Sequence, residues 1–259
     1  MKQILLGALI LLFMSVQSLQ HSMAQTKSYL KQTIQSEKAH SYKTDLDFFA
    51  GELFVNATEE EAVAVCHYGY KADYIKPIMT YHEQGETGYA SIQSESIRNK
   101  ELDRLGKDNK WYISLNGKQT HQLSVNLKAG TARLDLASSQ LKHFAFRMMA
   151  GEAHVNLSNS SIPEINMQLM TGSAHLDVSG KWDNDLHATI KGGVGELNVL
   201  VPYETGVRIT VSGLLGEINI PFFNRNGRTY TNDLYGKTAS TLYIDINGGI
   251  GQINVNMVD

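Results

Sequence analysis

The chain has 259 residues, of which 19% are charged and 42% hydrophobic, so its composition is that of a globular protein rather than a disordered one. Its 23 Lys and Arg against 26 Asp and Glu give a formal net charge of −3. Without a basic patch there is no attractive field for a polyanion, which excludes nucleic acid as an expected partner.

The first 24 residues predict a secretory signal peptide. Lys2 precedes an apolar run over residues 4–16, and residues 22–24 (SMA) form a small-x-small cleavage site. The alternative is an uncleaved anchor, but the run is shorter than the roughly 20 residues that a spanning helix needs. We therefore expect cleavage after Ala24, no membrane span in the mature chain, and an exported protein that is periplasmic or on the cell surface.

Cys66 is the only cysteine and lies in a strand-like run over residues 62–68. With one thiol the chain cannot form an internal disulfide, so its core must supply the stability. We predict a buried, inert thiol rather than a reactive one.

A glycine followed by the same alternating heptad occurs seven times in the sequence. The copies begin at Gly51, Gly130, Gly151, Gly172, Gly195, Gly216 and Gly251, and the intervals from Gly130 to Gly216 are 21, 21, 23 and 21 residues. A fixed period in this range is typical of a stacked repeat architecture.

Within each heptad the second, fourth and sixth places are apolar; Leu134, Leu176 and Val199 are examples of the fourth. This alternation predicts a strand with one buried face. A second alternating strand precedes each glycine from Gly130 onwards, at residues 123–127, 144–148, 165–169, 186–190, 207–211 and 242–246. Glycine suits the bend between the two strands because a sharp bend often needs a positive φ.

Repeated strand–bend–strand units bury their apolar faces by stacking on one another. The sequence therefore predicts an all-β fold, a right-handed parallel β-helix-like solenoid of about 21-residue coils. A β-sandwich of hairpins is the alternative, although it would give alternating turn types rather than one recurring bend.

We divide the mature chain into three continuous segments: an N-terminal leader (25–44), a degenerate β-repeat segment (45–120) and the regular solenoid (121–259). Residues 26–42 are polar and predict a short helix or a disordered leader. The 79 residues from Gly51 to Gly130 equal almost four periods, with strands expected at 62–68, 78–81, 88–92 and 111–115. Residues 94–110 predict a surface loop and residues 221–242 an insertion.

No motif of a conventional enzyme is present in the sequence. The Gly-x-Gly pairs at 193–195 and 249–251 precede strands and lack a third glycine, so they predict no nucleotide site. The sequence contains no GxSxG, HExxH or Cys/His zinc spacing. We predict a protein that is not an enzyme and needs no cofactor.

The third and fifth heptad places become outward columns when coils stack. This arrangement predicts a binding surface of five residues on adjacent coils, namely Arg133, Asp135, His154, His175 and Asp177. A solvated β-face with Asn and Asp ladders is the alternative. We predict no metal site, because zinc ligands must converge to about 2.0–2.1 Å whereas ladder side chains point away in parallel.

Two further sets of side chains receive structural interpretations. The first-place glutamates, Glu52, Glu152, Glu196 and Glu217, predict a solvated edge just past the bend. The tyrosines of the N-terminal segment are interpreted as core caps with wet hydroxyls rather than sugar-stacking platforms; they are Tyr68, Tyr70, Tyr74, Tyr81 and Tyr89.

The sequence resembles the toast-rack domains of bacterial envelope proteins, which include cell-wall-active-antibiotic response proteins and relatives named as adhesins. Residues 172–255 carry the features GKW (180–182), DL (185–186), GGVGELNVLVP (192–202), TGV (205–207), GLLGEINI (213–220), YTN (230–232) and LYIDINGGIGQINV (242–255). Residues 47–53 (DFFAGEL), 76–77 (KP) and 109–116 (NKWYISLN) resemble the N-terminal toast-rack segment. The resemblance implies a β-helix-like fold and an envelope role, with no catalytic residues to carry over.

The expected function is that of an exported, non-enzymatic binding or adhesion-type module of a bacterial cell envelope. Its partner would be an envelope glycan or protein that the sequence does not identify. One alternative is a glycan-active enzyme, since β-helices host such enzymes. Another is an assembly or stress-response partner module that uses an open solenoid end, because residues 254–259 offer no obvious cap.

Overall fold

The computed structural model of the protein describes residues 27–97, 109–213 and 215–258. The predicted signal peptide lies outside these residues, as does most of the loop predicted at 94–110. The described residues form sixteen strands and no helix. The strands are β1 (Lys27–Ile34), β2 (Ser41–Thr58), β3 (Ala64–Lys71), β4 (Ile75–Gln84), β5 (Thr87–Ser96), β6 (Lys110–Asn116), β7 (Thr120–Asp135), β8 (His143–Asn156), β9 (Glu164–Asp177), β10 (Leu186–Pro202), β11 (Gly206–Ser212), β12 (Leu215–Asn219), β13 (Asn224–Asn226), β14 (Thr229–Thr231), β15 (Thr241–Asn247) and β16 (Ile250–Val258).

The central coils are built from long strands that run through the repeated glycine. Strands β7, β8, β9 and β10 pair in parallel and in register, so that Gly130, Gly151, Gly172 and Gly195 lie side by side. We call the part of the sheet before these glycines the first face and the part after them the second face. The loops between strands also form a ladder: Leu136 donates its backbone N–H to Asn156 O at 2.9 Å, and Leu157 donates to Asp177 O at 2.8 Å. The predicted solenoid is confirmed, and its sheet is not closed.

The core lies between the two faces and contains the residues predicted to point inward. Leu134, Leu176 and Val199 are 3%, 1% and 0% exposed, which confirms the inward assignment. The prediction is wrong for Ile218 and Phe222, the second and sixth places of the copy that begins at Gly216, which are 38% and 77% exposed. Strand β12 ends at Asn219, and Phe222 lies in the turn beyond it with a φ of 66°.

The last coils do not stack in chain order. Strand β16 lies between β10 and β12, and β15 lies between β10 and β11. Gly251 therefore pairs with both Gly195 and Gly216. Of the residues expected to leave the solenoid end uncapped, 254–258 belong to the inner strand β16, whereas β12 forms the outer edge of the second face. The predicted insertion contains the hairpin β13–β14, which pairs with β11.

The N-terminal segment also differs from the predicted arrangement. Gly51 pairs directly with Gly130, so no coils stand between them. Instead β6, β3 and β1 extend the second face beyond β2, with antiparallel pairing at β3, and β5 and β4 extend the first face. The polar leader is not a helix: residues 27–34 form β1, because they pair with β3 and bury Ile34. The boundaries of the three predicted segments remain a proposal.

Cys66 and Tyr68 lie on the inward side of β3 beside Trp111. Cys66 is fully buried, and burial raises the pKa of its thiol to about 12, as expected for an inert cysteine. Tyr68 is 2% exposed and packs edge-on against Trp111, with ring centroids 5.0 Å apart. The prediction of a wet hydroxyl is therefore wrong for Tyr68, because β3 is covered by the core rather than lying at its rim.

Candidate functional site

The outward side of the second face carries one side chain of each strand in a continuous row. Since alternate residues of a strand point to the same side, the third heptad places of neighbouring strands stand next to one another. We call this set the stacked row; from β6 to β9 it consists of Tyr112, Phe54, Arg133, His154 and His175.

Aromatic and cationic contacts join the members of the stacked row. The rings of Tyr112 and Phe54 are parallel within 7°, with centroids 4.7 Å apart. The Arg133 guanidinium lies 5.8 Å from the centroid of Phe54, a cation–π distance. The imidazoles of His154 and His175 are parallel within 3°, with centroids 4.6 Å apart. The sequence did not predict the contribution of Tyr112, because no glycine heptad marks β6.

A parallel row of carboxylates and amides follows two residues further along each strand. Asn156 donates its side-chain N–H to Asp135 Oδ1 at 3.0 Å. Asp177 Oδ1 accepts the backbone N–H of Ser179 at 2.8 Å. Both aspartates are thus oriented by neighbouring groups.

Glu152 lies on the other side of the stacked row and contacts His154. Its Oε1 is 2.6 Å from Nε2 of His154. The hydrogen bond to His154 lowers the pKa of Glu152, and the positive charge of Arg133 acts in the same direction. One ligand atom from each of Glu152, His154 and His175 lies within 4.8 Å of the others. A ladder of strictly parallel side chains would not bring these three ligand atoms together, so the sequence predicted no such cluster. Glu152 and His154 are two residues apart, and this spacing places both on the same side of a strand.

The second face carries a shallow groove of ≈ 530 Å³, lined by the stacked row from Phe54 to His175 and by the neighbouring row of carboxylates and amides. All five residues of the predicted binding surface line it, on the adjacent strands β7, β8 and β9. Phe54, Asn56 and Asn198 extend the groove at its two ends. The structure thus brings the predicted residues together, and their role in binding remains a prediction.

Three of the first-place glutamates, Glu52, Glu152 and Glu196, have side-chain partners rather than only solvent around them. Glu52 forms a 3.1 Å ion pair with Lys110. Glu196 accepts side-chain N–H groups from Asn198 at 3.0 Å and from Asn254 at 3.2 Å. The glutamates therefore help to orient neighbouring side chains along the same surface.

The first face carries a different set of polar side chains. His143 Nδ1 lies 3.3 Å from the Glu164 carboxylate on the neighbouring strand. His187, on the next strand, stacks on Tyr243 with centroids 4.9 Å apart. A second groove of ≈ 390 Å³ on this face is lined by residues that include Asn126, Arg147 and Gln168.

The fold and the row of outward side chains define a β-solenoid of stacked coils. The chain belongs to the toast-rack family: the family described as "N-terminal domain of toast_rack, DUF2154" matches residues 22–172 and, in a second overlapping match, residues 144–200. The matched residues include the segments at 47–53, 76–77 and 109–116 on which the N-terminal resemblance rests. Residues 201–255 lie outside both matches. No curated protein matches this chain in sequence.

Several solved structures resemble the chain. One, from Clostridium sporogenes ATCC 15579, is described as a "putative cell adhesion protein"; it is 26% identical over 90% of this chain and 100% of its own, with a TM-score of 0.68. A "putative adhesin" from Bacteroides fragilis NCTC 9343 is 10% identical over 91% of this chain and 100% of its own, with a TM-score of 0.35. Of these two, the Clostridium protein superposes well enough to bear on the fold.

Within residues 27–97, 109–213 and 215–258, the structure contains no helical segment that could cross a bilayer.

Proposed function

We propose that this protein is an exported, non-enzymatic binding module of adhesion type in a bacterial cell envelope, and that it binds its partner through the groove on the second face. The observation that carries the proposal is the convergence of Arg133, Asp135, His154, His175 and Asp177 on one groove. The apparent signal peptide at residues 1–24 supports export. The Clostridium relative described as a "putative cell adhesion protein" supports the adhesion role.

The side chains of the groove favour a glycan over a protein as partner. Asp135, Asn156 and Asp177 present carboxylate and amide groups, which can accept from and donate to sugar hydroxyls. The volume of ≈ 530 Å³ lies within the usual range of small-molecule sites. Because the groove crosses several parallel strands, its long axis suits an extended chain of sugar units.

The rigidity of the surface also favours binding. The groove residues project from strands that are paired on both sides, so a ligand would order few side chains and no backbone on binding. A preorganised surface loses less conformational entropy on association than a mobile one.

The test is an array of envelope glycans and cell-wall fragments, probed with the purified protein. A variant with alanine at all five predicted binding residues should bind the captured glycan at least about tenfold more weakly, a loss of about 1.4 kcal/mol. The matched control carries Asn126→Ala, Arg147→Ala and Gln168→Ala on the first face and should retain the parental affinity.

Circular dichroism and thermal unfolding establish that both variants are folded. Equal affinity of the groove variant and the parent would contradict the proposal and direct attention to other surfaces. A groove variant that binds normally while the first-face variant fails would move the binding site to the first face.

A further inference from the structure

We propose that Glu152, His154 and His175 form a site for a divalent transition-metal ion of the kind that imidazole prefers, with Zn²⁺ as the representative ion. The proposal is independent of glycan binding, because the metal would bind to the protein alone. It rests on the arrangement of three side chains on the adjacent strands β8 and β9.

The three ligand atoms already lie close to a coordinating arrangement. They are within 4.8 Å of one another. Ligands of a tetrahedral Zn²⁺ at about 2.0–2.1 Å are about 3.3 Å apart, so the atoms must approach by at most about 1.5 Å. Rotation about side-chain bonds supplies such a movement, and the partial exposure of His154 and Glu152, 39% and 46%, leaves room for it.

The backbone holds the two histidines at the correct relative position. His154 and His175 are paired residues of β8 and β9, and their rings are parallel with centroids 4.6 Å apart. Their nitrogens therefore face the same side of the sheet, as two ligands of one ion must. Fixing the ligands on paired strands lowers the entropy that metal binding would otherwise cost.

The charges around the cluster are compatible with a cation. Asp135, Asp177 and Glu196 lie on the same outward side, on β7, β9 and β10. Arg133, which pairs with His154 from β7, packs over Phe54 and so lies on the side of His154 away from His175. The ion would replace the contact of Glu152 with His154 by two metal–ligand bonds.

The donor set indicates the class of ion. Two imidazole nitrogens and one carboxylate suit Zn²⁺, Cu²⁺ or Ni²⁺, whereas Ca²⁺ and Mg²⁺ prefer oxygen ligands throughout. Three protein ligands leave one tetrahedral position for water or for a group of a bound partner.

The test is isothermal titration of the tag-free protein with Zn²⁺ in a non-coordinating buffer, without any glycan. We expect saturable binding of one ion per chain. His154→Gln and His175→Gln should each weaken binding at least tenfold, and Glu152→Gln should weaken it by a smaller factor. Ca²⁺ should not compete.

The matched control is His143→Gln, which removes a histidine that also contacts a glutamate but whose paired residues on the adjacent strands are Gln122 and Glu164 rather than a second histidine. This variant should bind Zn²⁺ as the parent does. Absence of saturable binding, or an equal loss in His143→Gln and His175→Gln, would overturn the proposal. Glu152 is not among the five residues replaced in the glycan test, so the two proposals can fail separately.

Discussion

Gly151 lies so close to Gly130 of the preceding coil that a β-carbon on Gly151 would overlap the carbonyl oxygen of Gly130. The same relationship recurs from coil to coil along the column of repeated glycines. Each of these glycines also has a positive φ, 137° in Gly151 and 132° in Gly130. The column therefore needs glycine for two reasons, backbone conformation and space between neighbouring backbones.

Replacement of Gly172 by alanine should cost more than about 1 kcal/mol of unfolding free energy. Its φ is 125°, and the added β-carbon would overlap the carbonyl oxygen of Gly151. Gly216→Ala meets the carbonyl of Gly251 in the same way. Urea unfolding measures the loss.

Gly192→Ala is the matched control for the glycine column, because a β-carbon there meets no atom within 4 Å. It should leave the urea midpoint almost unchanged. Equal midpoints for Gly172→Ala and Gly192→Ala would mean that the column tolerates a side chain.

Leu176→Asp should strongly destabilise the solenoid. Leu176 is 1% exposed between the two faces, and burying a leucine is worth roughly 1.5–3 kcal/mol before the cost of desolvating the new carboxylate is added. The neighbouring change His175→Asp lies on the outward side and should shift thermal unfolding only slightly. Similar shifts in the two variants would be incompatible with the inward position of Leu176.

Cys66 should not react with thiol reagents in the folded protein. The reactive form of cysteine is the thiolate, and burial both raises the pKa of Cys66 to about 12 and blocks access to it. Labelling with iodoacetamide at pH 8, followed by mass spectrometry, should show modification only in denaturant. Rapid labelling without denaturant would reveal local opening of β3.

Glu83 should make stability depend on pH in the acidic range. Burial alone would raise the pKa of Glu83. Its carboxylate, however, accepts hydrogen bonds from the side chains of Ser36 and Tyr81 and from the backbone of Glu37. These bonds outweigh burial and lower the pKa from 4.5 to about 2. A depressed pKa in the folded state stabilises the protein above pH 4.5, and this contribution is lost as the pH falls towards 2. Thermal unfolding of the parent and Glu83→Gln between pH 6 and pH 2 measures it.

In the variant, the decrease in melting temperature over this range should be smaller than in the parent. Glu59→Gln is the control, since Glu59 is an exposed glutamate whose ion pair is with Lys118. If Glu59→Gln flattened the pH profile as much as Glu83→Gln, the hydrogen bonds to Glu83 would not be the cause.

The candidate site was predictable only in part. The alternation of the heptads placed Arg133, His154 and His175 on one side of the sheet, because in an extended strand alternate residues share a side. Tyr112 joins them because β6 pairs with β2. This pairing places Tyr112 beside Phe54, although the two residues are 58 positions apart in the sequence. No local pattern encodes such a pairing. The contact of Glu152 with His154 depended on side-chain rotation towards the row, which strand periodicity does not specify.

The sequence by itself determined the repeating coil, its inward and outward residues, and the glycine column, because each follows from local rules of strand alternation and backbone space. Only the tertiary structure decided the order of the coils. It placed Gly51 directly beside Gly130 and inserted Gly251 between Gly195 and Gly216. The heptads at these glycines have nearly equivalent apolar patterns, so several neighbours would satisfy each of them locally. The choice among those neighbours depends on the strands that extend the solenoid at its two ends. These are β1 and β3–β6 at one end and the β13–β14 hairpin at the other.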